Sequence, residues 1–145
     1  MMDIKAKTFC DLTAKELYEI LRVRAEIFVV EQNCVYLDPD GKDYDALHVF
    51  IEEDGRILAY FRAFQISDDI VQLGRVLTVQ RGKGLGGDLL REGIRQIRER
   101  FDPGTVYIEA QCYATGFYEK AGFTVSSEEF LEDGIPHVQM LLKLN

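Results

Sequence analysis

The stretch Arg81-Gly82-Lys83-Gly84-Leu85-Gly86-Gly87 constrains this chain more than any other. An apolar run, Val71 to Val79, leads into it, and a segment with helical spacing, Leu85 to Phe101, leads out. A strand, a glycine turn and a helix start together form a concave row of backbone N–H groups suited to an anion. Side chains would block that approach, so glycine belongs where a ligand's phosphates pass closest. The chain is therefore expected to hold a phosphate-bearing cofactor.

The flanking pattern supplies the rest of a sheet. Ile4 to Phe9 alternates as a first strand. Thr13-Ala14-Lys15-Glu16 has the form of a capping box, and Leu17, Ile20, Leu21, Ile27 and Phe28 continue a helix to about Glu31. Asn33 to Asp45 reads as a loop. Leu47 to Glu52 and Arg56 to Gln65 are strands joined at Glu53-Asp54-Gly55, a hairpin signal, and Ile70 to Val79 is a further strand. Beyond the glycines, Leu90, Ile94, Ile97 and Phe101 share one helix face, which ends at Asp102-Pro103-Gly104. Val106 to Ala110 reads as a buried strand and Tyr113 to Lys120 as a short helix. Phe123 to Ser126 and Val138 to Leu144 read as the last strands, separated by a loop containing Asp133-Gly134-Ile135-Pro136. Strands surrounding a few helices, partly as hairpins, predict a mixed sheet.

Length and charge narrow the function. With 145 residues, positions 1–145 read as a single domain with one core. A net charge of −8 without a basic block argues against nucleic acid as a partner. Cys10, Cys34 and Cys112 form no CxxC pair, and the start MMDIKAKTFC has no apolar secretory core, so reduced thiols in the cytoplasm are expected. No apolar run approaches a membrane span, so no membrane is expected as a partner. Asp38-Pro39-Asp40-Gly41 suggests a calcium loop, but its twelfth position is Val49 rather than Glu, and no metal is implied.

Three phosphate loops compete for the glycines. A Walker loop needs Ser or Thr after Gly-Lys, and Gly82-Lys83 is followed by Gly84. The dinucleotide pattern GxGxxG matches at Gly82, Gly84 and Gly87, with Asp102 as the distal acid. That acid belongs at a strand end, whereas Asp102 precedes the next strand, and only 58 residues follow the motif. The third reading is stronger. Arg81-x-x-Gly84-x-Gly86 between strand and helix resembles the acyl-CoA pyrophosphate loop of the GNAT superfamily of N-acetyltransferases. Downstream, Gln111-x-x-Ala114-x-x-Phe117-Tyr118-Glu119-Lys120-x-Gly122-Phe123 resembles the segment after that superfamily's fifth strand. Phe28-Val29-Val30-Glu31-Gln32-Asn33-Cys34, Gly74-Arg75-Val76 and Asp133-Gly134-Ile135-Pro136-His137 are similar to its ElaA-like branch, so the likeness covers nearly the whole chain.

The resemblance implies an α/β (α+β) fold. It would be a GNAT-type mixed, mostly antiparallel seven-stranded sheet, splayed between its fourth and fifth strands and flanked by about four helices. The strand count from the pattern agrees. The resemblance also implies direct acetyl transfer from acetyl-CoA to a primary amine of a small molecule, with acetyl-CoA and the amine as partners. A protein lysine or N-terminal amine as acceptor, and a non-catalytic CoA-binding sensor or interaction domain, stay open. So does a homodimer, since related folds often dimerise.

Residue by residue, the resemblance implies that backbone groups of Leu77, Thr78 and Val79 hold the pantetheine and the acetyl carbonyl. N–H groups of Gly82, Gly84, Leu85, Gly86 and Gly87 would bind pyrophosphate at the positive end of the helix dipole. Arg81 and Lys83 would add charge, although a loop lysine is as readily explained by solvation. Gln111, standing where much of the superfamily has Asn, and Phe117 complete the cofactor wall. Tyr118 would donate a proton to the departing sulfur, because a phenol stays protonated at neutral pH. Its alternative is a packing aromatic. An alkylamine must lose a proton before it attacks, and no carboxylate marks the fourth strand at Leu73-Gly74-Arg75. Glu31, Glu109 and His137 are the candidate bases, directly or through water. Glu109 interrupts an apolar strand, where a carboxylate needs a reason. Glu31, Gln32, Arg75 and His137 are expected on the acceptor side, with Arg75 binding an acceptor carboxylate or pairing with a buried acid. Cys112 reads as a small packing residue.

Overall fold

The computed structural model describes residues 3–80 and 82–144. In chain order the elements are β1 (Ile4–Thr8), α1 (Ala14–Arg24), β2 (Leu47–Glu53), β3 (Arg56–Gln65), β4 (Ile70–Thr78), α2 (Leu85–Phe101), β5 (Thr105–Gln111), α3 (Thr115–Glu119), β6 (Thr124–Val125), β7 (Phe130–Glu132) and β8 (Ile135–Lys143). The capping box forms: the Glu16 N–H donates to Thr13 Oγ1 at 3.0 Å, and the Thr13 N–H to Glu16 Oε1 at 2.8 Å. The helix expected to reach Glu31 does so in two forms. Regular turns end at Arg24, and Ala25–Glu31 widens into π-helix, a geometry frequent at functional sites.

The sheet order is β1-β2-β3-β4-β5-β8-β6, with β7 paired to β8. All pairs are antiparallel except β4–β5. Among the described residues eight strands appear where seven are expected. The extra strand is β7, in the segment read as loop. Asp133 and Gly134 take φ of 51° and 78°, as do Asp54 and Gly55 at 52° and 77°, so both Asp-Gly pairs make the left-handed two-residue turns that close hairpins. Among the described residues the α-helices number three, one fewer than the expected four, because Ala25–Glu31 continues α1 as π-helix and the remaining turns are short 3-10 segments.

One face of the sheet packs under α2 and α3. There Val49, Phe61, Leu73, Leu89, Ile97, Ile108 and Met140 form the main core, with Tyr118 and Phe123. The other face packs under α1 through Ile20, Val23, Phe50, Tyr60 and Leu77. Strand alternation divides β5 between them: Val106, Ile108 and Ala110 are buried, while Tyr107, Glu109 and Gln111 are half-buried on the opposite side.

Two irregularities open the sheet. The β4–β5 ladder runs only from Ile70↔Thr105 to Leu73↔Ile108, and the strands then splay. In the β3–β4 pair the register shifts between Tyr60↔Leu77 and Arg62↔Gly74, leaving Arg75 and Val76 opposite Phe61 alone. Arg75 at this bulge has φ of 52°. Such an unfavourable conformation persists only where surrounding contacts fix it.

Candidate active site

A cleft of about 890 Å³ occupies the splay, within the range of small-ligand sites. The glycine loop forms one end. Gly82 and Gly84 have φ of 80° and 74°, and a Cβ at either would meet nothing within 4 Å. Glycine is required there by the backbone turn, and space is left beside it. Gly84 is the N-cap of α2 and provides no side-chain cap. The first intrahelical bond in the turn comes from the Asp88 N–H to the Gly84 carbonyl. The N–H groups of Leu85, Gly86 and Gly87 thus remain available at the positive end of α2. At Gly86 a Cβ would press on Thr78 Cγ2 at 3.2 Å and on the Phe117 ring at 3.3 Å, so glycine lets the helix start dock against both. Arg81 lies outside the described residues. Lys83 is exposed on the loop and is not among the residues lining the cleft. Asp102 is the C-cap of α2, roughly 25 Å from the glycines by helix rise. The dinucleotide reading therefore loses its ribose-binding acid.

The β4 edge supplies backbone groups. The Val79 N–H donates to the Leu58 carbonyl at 2.8 Å. By strand alternation Thr78 directs its backbone groups toward the splay. Of the expected trio, Leu77 and Thr78 line the cleft, together with Val76, while Val79 does not. On β5, Gln111 makes a reciprocal amide pair with Gln32 from the end of the π-helical turn, at 3.2 and 3.3 Å. The two expected residues are on one wall. Glu31 is exposed and is not among the lining residues.

Tyr118 faces this cleft from α3, 7% exposed, with edge-on contacts to Phe117 and Phe123. Burial, then the neighbouring Tyr113, pushes its phenol above the ordinary range. Its hydroxyl has no hydrogen-bond partner among the described residues, which leaves its proton available to a ligand in the cleft. Cys112 instead donates to Glu129 at 3.5 Å, and desolvation and that carboxylate raise its thiol. This opposes a nucleophilic role.

Beyond the splay two charged groups flank Gly74. On the β3 side Arg24, Arg62 and Arg75 meet Asp38, Asp40 and Asp43. Arg24, fully buried, donates to Asp38 at 2.8 Å and Asp43 at 2.7 Å. Arg62 donates to Asp40 and Asp43, and Arg75 donates to Asp38 at 2.9 Å and lies over the Tyr36 ring. The Tyr36 hydroxyl also donates to Asp38, at 2.7 Å. Arg75 is thus paired with a buried acid, and Asp38 and Asp40 of the rejected calcium loop are engaged by guanidinium groups. His48 bonds Tyr60 and the Asp43 carbonyl deep in this wall.

On the β5 side Glu109 and His137 come together, with Glu132 between them. The Tyr107 hydroxyl donates to Glu109 at 2.9 Å, and Glu132 lines the same part of the cleft, close enough for the Glu109 charge to act on it. His137 Nε2 is 3.5 Å from Glu132, while its Nδ1 lies 2.6 Å from the Ile135 carbonyl. All three line the cleft. Burial first, then Glu109, raises the Glu132 carboxyl above its ordinary range. Glu132 escaped sequence reading, although the Asp133-Gly134 hairpin signal would have carried it to the edge of β8.

The profile of the Acetyltransferase (GNAT) domain matches residues 27–144. The chain belongs to the GNAT acetyltransferase family. Within that family it is ElaA-like: Protein ElaA of Escherichia coli is 35% identical over 136 residues, 90% of this chain and 89% of that protein. The crystal structure of Escherichia coli ElaA superposes with a TM-score of 0.92 over 99% of this chain and all of that one, at 32% identity. An acyl-CoA N-acyltransferase from Pseudomonas aeruginosa gives a TM-score of 0.91 at 37% identity, covering 98% of this chain and 99% of that one. A GNAT family acetyltransferase from Elizabethkingia anophelis, solved with acetyl-CoA bound, shares the fold at a TM-score of 0.66 and 15% identity over 99% and 98% of the two chains. Among the described residues no group of side chains is placed to hold a metal, and no helix is long and apolar enough to cross a membrane.

Proposed function

We propose that this GNAT protein transfers an acetyl group from acetyl-CoA directly to a primary amine of a small molecule. The observation that carries the reading is the continuous cleft, with free helix N–H groups at one end, an unpartnered buried phenol beside it and a carboxyl pair at the other end. The family's acyltransferase chemistry and the acetyl-CoA held by the Elizabethkingia neighbour support it.

In this reading, Leu85, Gly86 and Gly87 N–H groups take the pyrophosphate. Val76 and Thr78 N–H groups polarise the acetyl carbonyl as its oxygen gains charge. Glu109 removes one proton from the ammonium, and the freed nitrogen attacks the carbonyl carbon. The C–S bond then breaks, Tyr118 donates its proton to the sulfur, and the nitrogen's second proton returns to Tyr118. Free CoA, the acetamide and one solvent proton result, with no covalent enzyme intermediate.

Calorimetric titration with acetyl-CoA, with free CoA and NADH as controls, tests the binding half. Saturable acetyl-CoA binding that is lost in Gly86→Val, where the side chain meets Thr78 and Phe117, is the expected outcome. Binding to NADH alone would overturn the reading. CoA release with a panel of primary amines tests the chemical half. Tyr118→Phe is expected to lower kcat by about 100-fold with acetyl-CoA affinity retained. Binding without turnover of any amine would favour a CoA-responsive sensor.

A further inference from the structure

The register places Glu109, Gln111, His137, Gln139, Phe130 and Glu132 on one face of the sheet. Glu109 pairs with Gln139, Gln111 with His137, and His137 with Phe130, two residues before Glu132. Paired residues point to the same side, as do residues two apart on a strand. The two carboxyls differ in access. Glu109 is half-buried in the cleft wall behind Tyr107, whereas the Glu132 side chain is 45% exposed at the hairpin end. His137 is only 6% exposed, stacked on Phe130, and its Nδ1–H is committed to the Ile135 carbonyl. With Nδ1 so engaged, the Nε2 edge of the ring is the one turned toward Glu132. The groups facing the pair are therefore Tyr107 and Gln139 from the sheet, Asp133 from the turn and His137 from β8.

We propose that Glu132 and His137 form an exit for the acceptor's proton, taking it from Glu109 at the cleft and releasing it to solvent at the β7–β8 hairpin. The inference rests on the acetyltransferase reading above and deepens it. At the start Glu132 carries a proton, favoured there by burial and by the neighbouring Glu109. The acceptor's ammonium gives a proton to Glu109. Glu132 passes its own proton through His137 Nε2 to water at the hairpin. No other reactant is needed, and Glu132 regains a proton when Glu109 hands on the one it took. Glu132 is a positioning residue here, since it meets the amine only through Glu109.

Two measurements test the proposal. The first follows the glutamate carboxyl carbons by NMR titration, with Glu132 assigned by its loss in Glu132→Gln. Glu132 is expected to titrate above the ordinary carboxylate range and to return toward that range in Glu109→Gln. A Glu132 that titrates normally in both proteins overturns the relay. The second is the pH profile of CoA release with the primary-amine panel. Glu132→Gln is expected to lower kcat about tenfold at neutral pH and to shift the acid limb of kcat/KM to lower pH, with acetyl-CoA affinity unchanged. Turnover with a profile that superposes on the wild type overturns the relay alone. Absence of turnover in the wild type overturns the acetyltransferase reading, and the relay with it.

Discussion

Arg62 and Glu109 sit on either side of Gly74 in the sheet, yet their surroundings follow opposite rules. Arg62 belongs to a wall in which three guanidinium groups meet three carboxylates. Glu109 belongs to a cluster where two carboxyls and one imidazole share a hairpin end, and no arginine or lysine answers them among the described ion pairs. Balanced buried charges hold their protonation state and fix geometry, here the loop from Tyr36 to Asp45 and the left-handed Arg75 bulge. Carboxyls without a cationic partner bind a proton more readily than ordinary carboxylates and can pass it on. The first region shapes the cleft, and the second is suited to chemistry in it.

Breaking the balanced wall should have the largest effect. Arg24→Met leaves Asp38 and Asp43 without their buried partner and is expected to lower stability by about 3–5 kcal/mol, read by denaturant unfolding. A loss below about 1 kcal/mol would mean that water or Arg62 replaces the guanidinium. The same kind of neutralisation in the other region should act on rate instead. Glu109→Gln is expected to reduce kcat about 100-fold, close to 3 kcal/mol of barrier, while the melting temperature holds or rises because like charges are relieved. A fall in stability matching that of Arg24→Met would erase the contrast between the regions.

The smallest effect concerns pH. Asp40 is held well below the ordinary carboxylate range, chiefly by its hydrogen bond from Arg62. Its folded pKa is depressed, so its contribution is complete above roughly pH 4 and fades as pH falls through the folded value. Glu132 is shifted the other way, so its contribution is present at low pH and is lost as pH rises through its folded value. Thermal unfolding across the acid range should therefore show Asp40→Asn losing stability mainly above pH ~4, and Glu132→Gln gaining it toward neutral pH. Parallel curves for the two variants would show that the carboxyls are not oppositely placed.

Legibility from sequence differed between elements for identifiable reasons. The capping box at Thr13 and Glu16, the glycine turn and the amphipathic face of α2 depend on contacts a few residues apart, and all three form. β7 was missed because three residues give too short an alternation, although Asp133-Gly134 carried the turn signal that pairs Glu132 with Ile135. Glu109 stood out as a carboxylate in an apolar strand. Its partner Glu132 did not, since an acid beside a loop needs no explanation. The aspartates at positions 38, 40 and 43 read as loop composition, and only the folded chain shows that they neutralise Arg24, Arg62 and Arg75.

The sequence by itself determined the local pieces: a phosphate-cradling turn, a capped helix, the Asp54-Gly55 hairpin and a phenol on a short helix. Each follows from backbone preferences and side-chain periodicity within a few residues. Tertiary structure alone decided where the sheet parts after Leu73 and Ile108, which backbone groups of β4 turn toward the gap, and which charges meet across it. Those outcomes depend on strand register and on one bulged residue. A shift of a single position would turn every side chain on a strand to the opposite face.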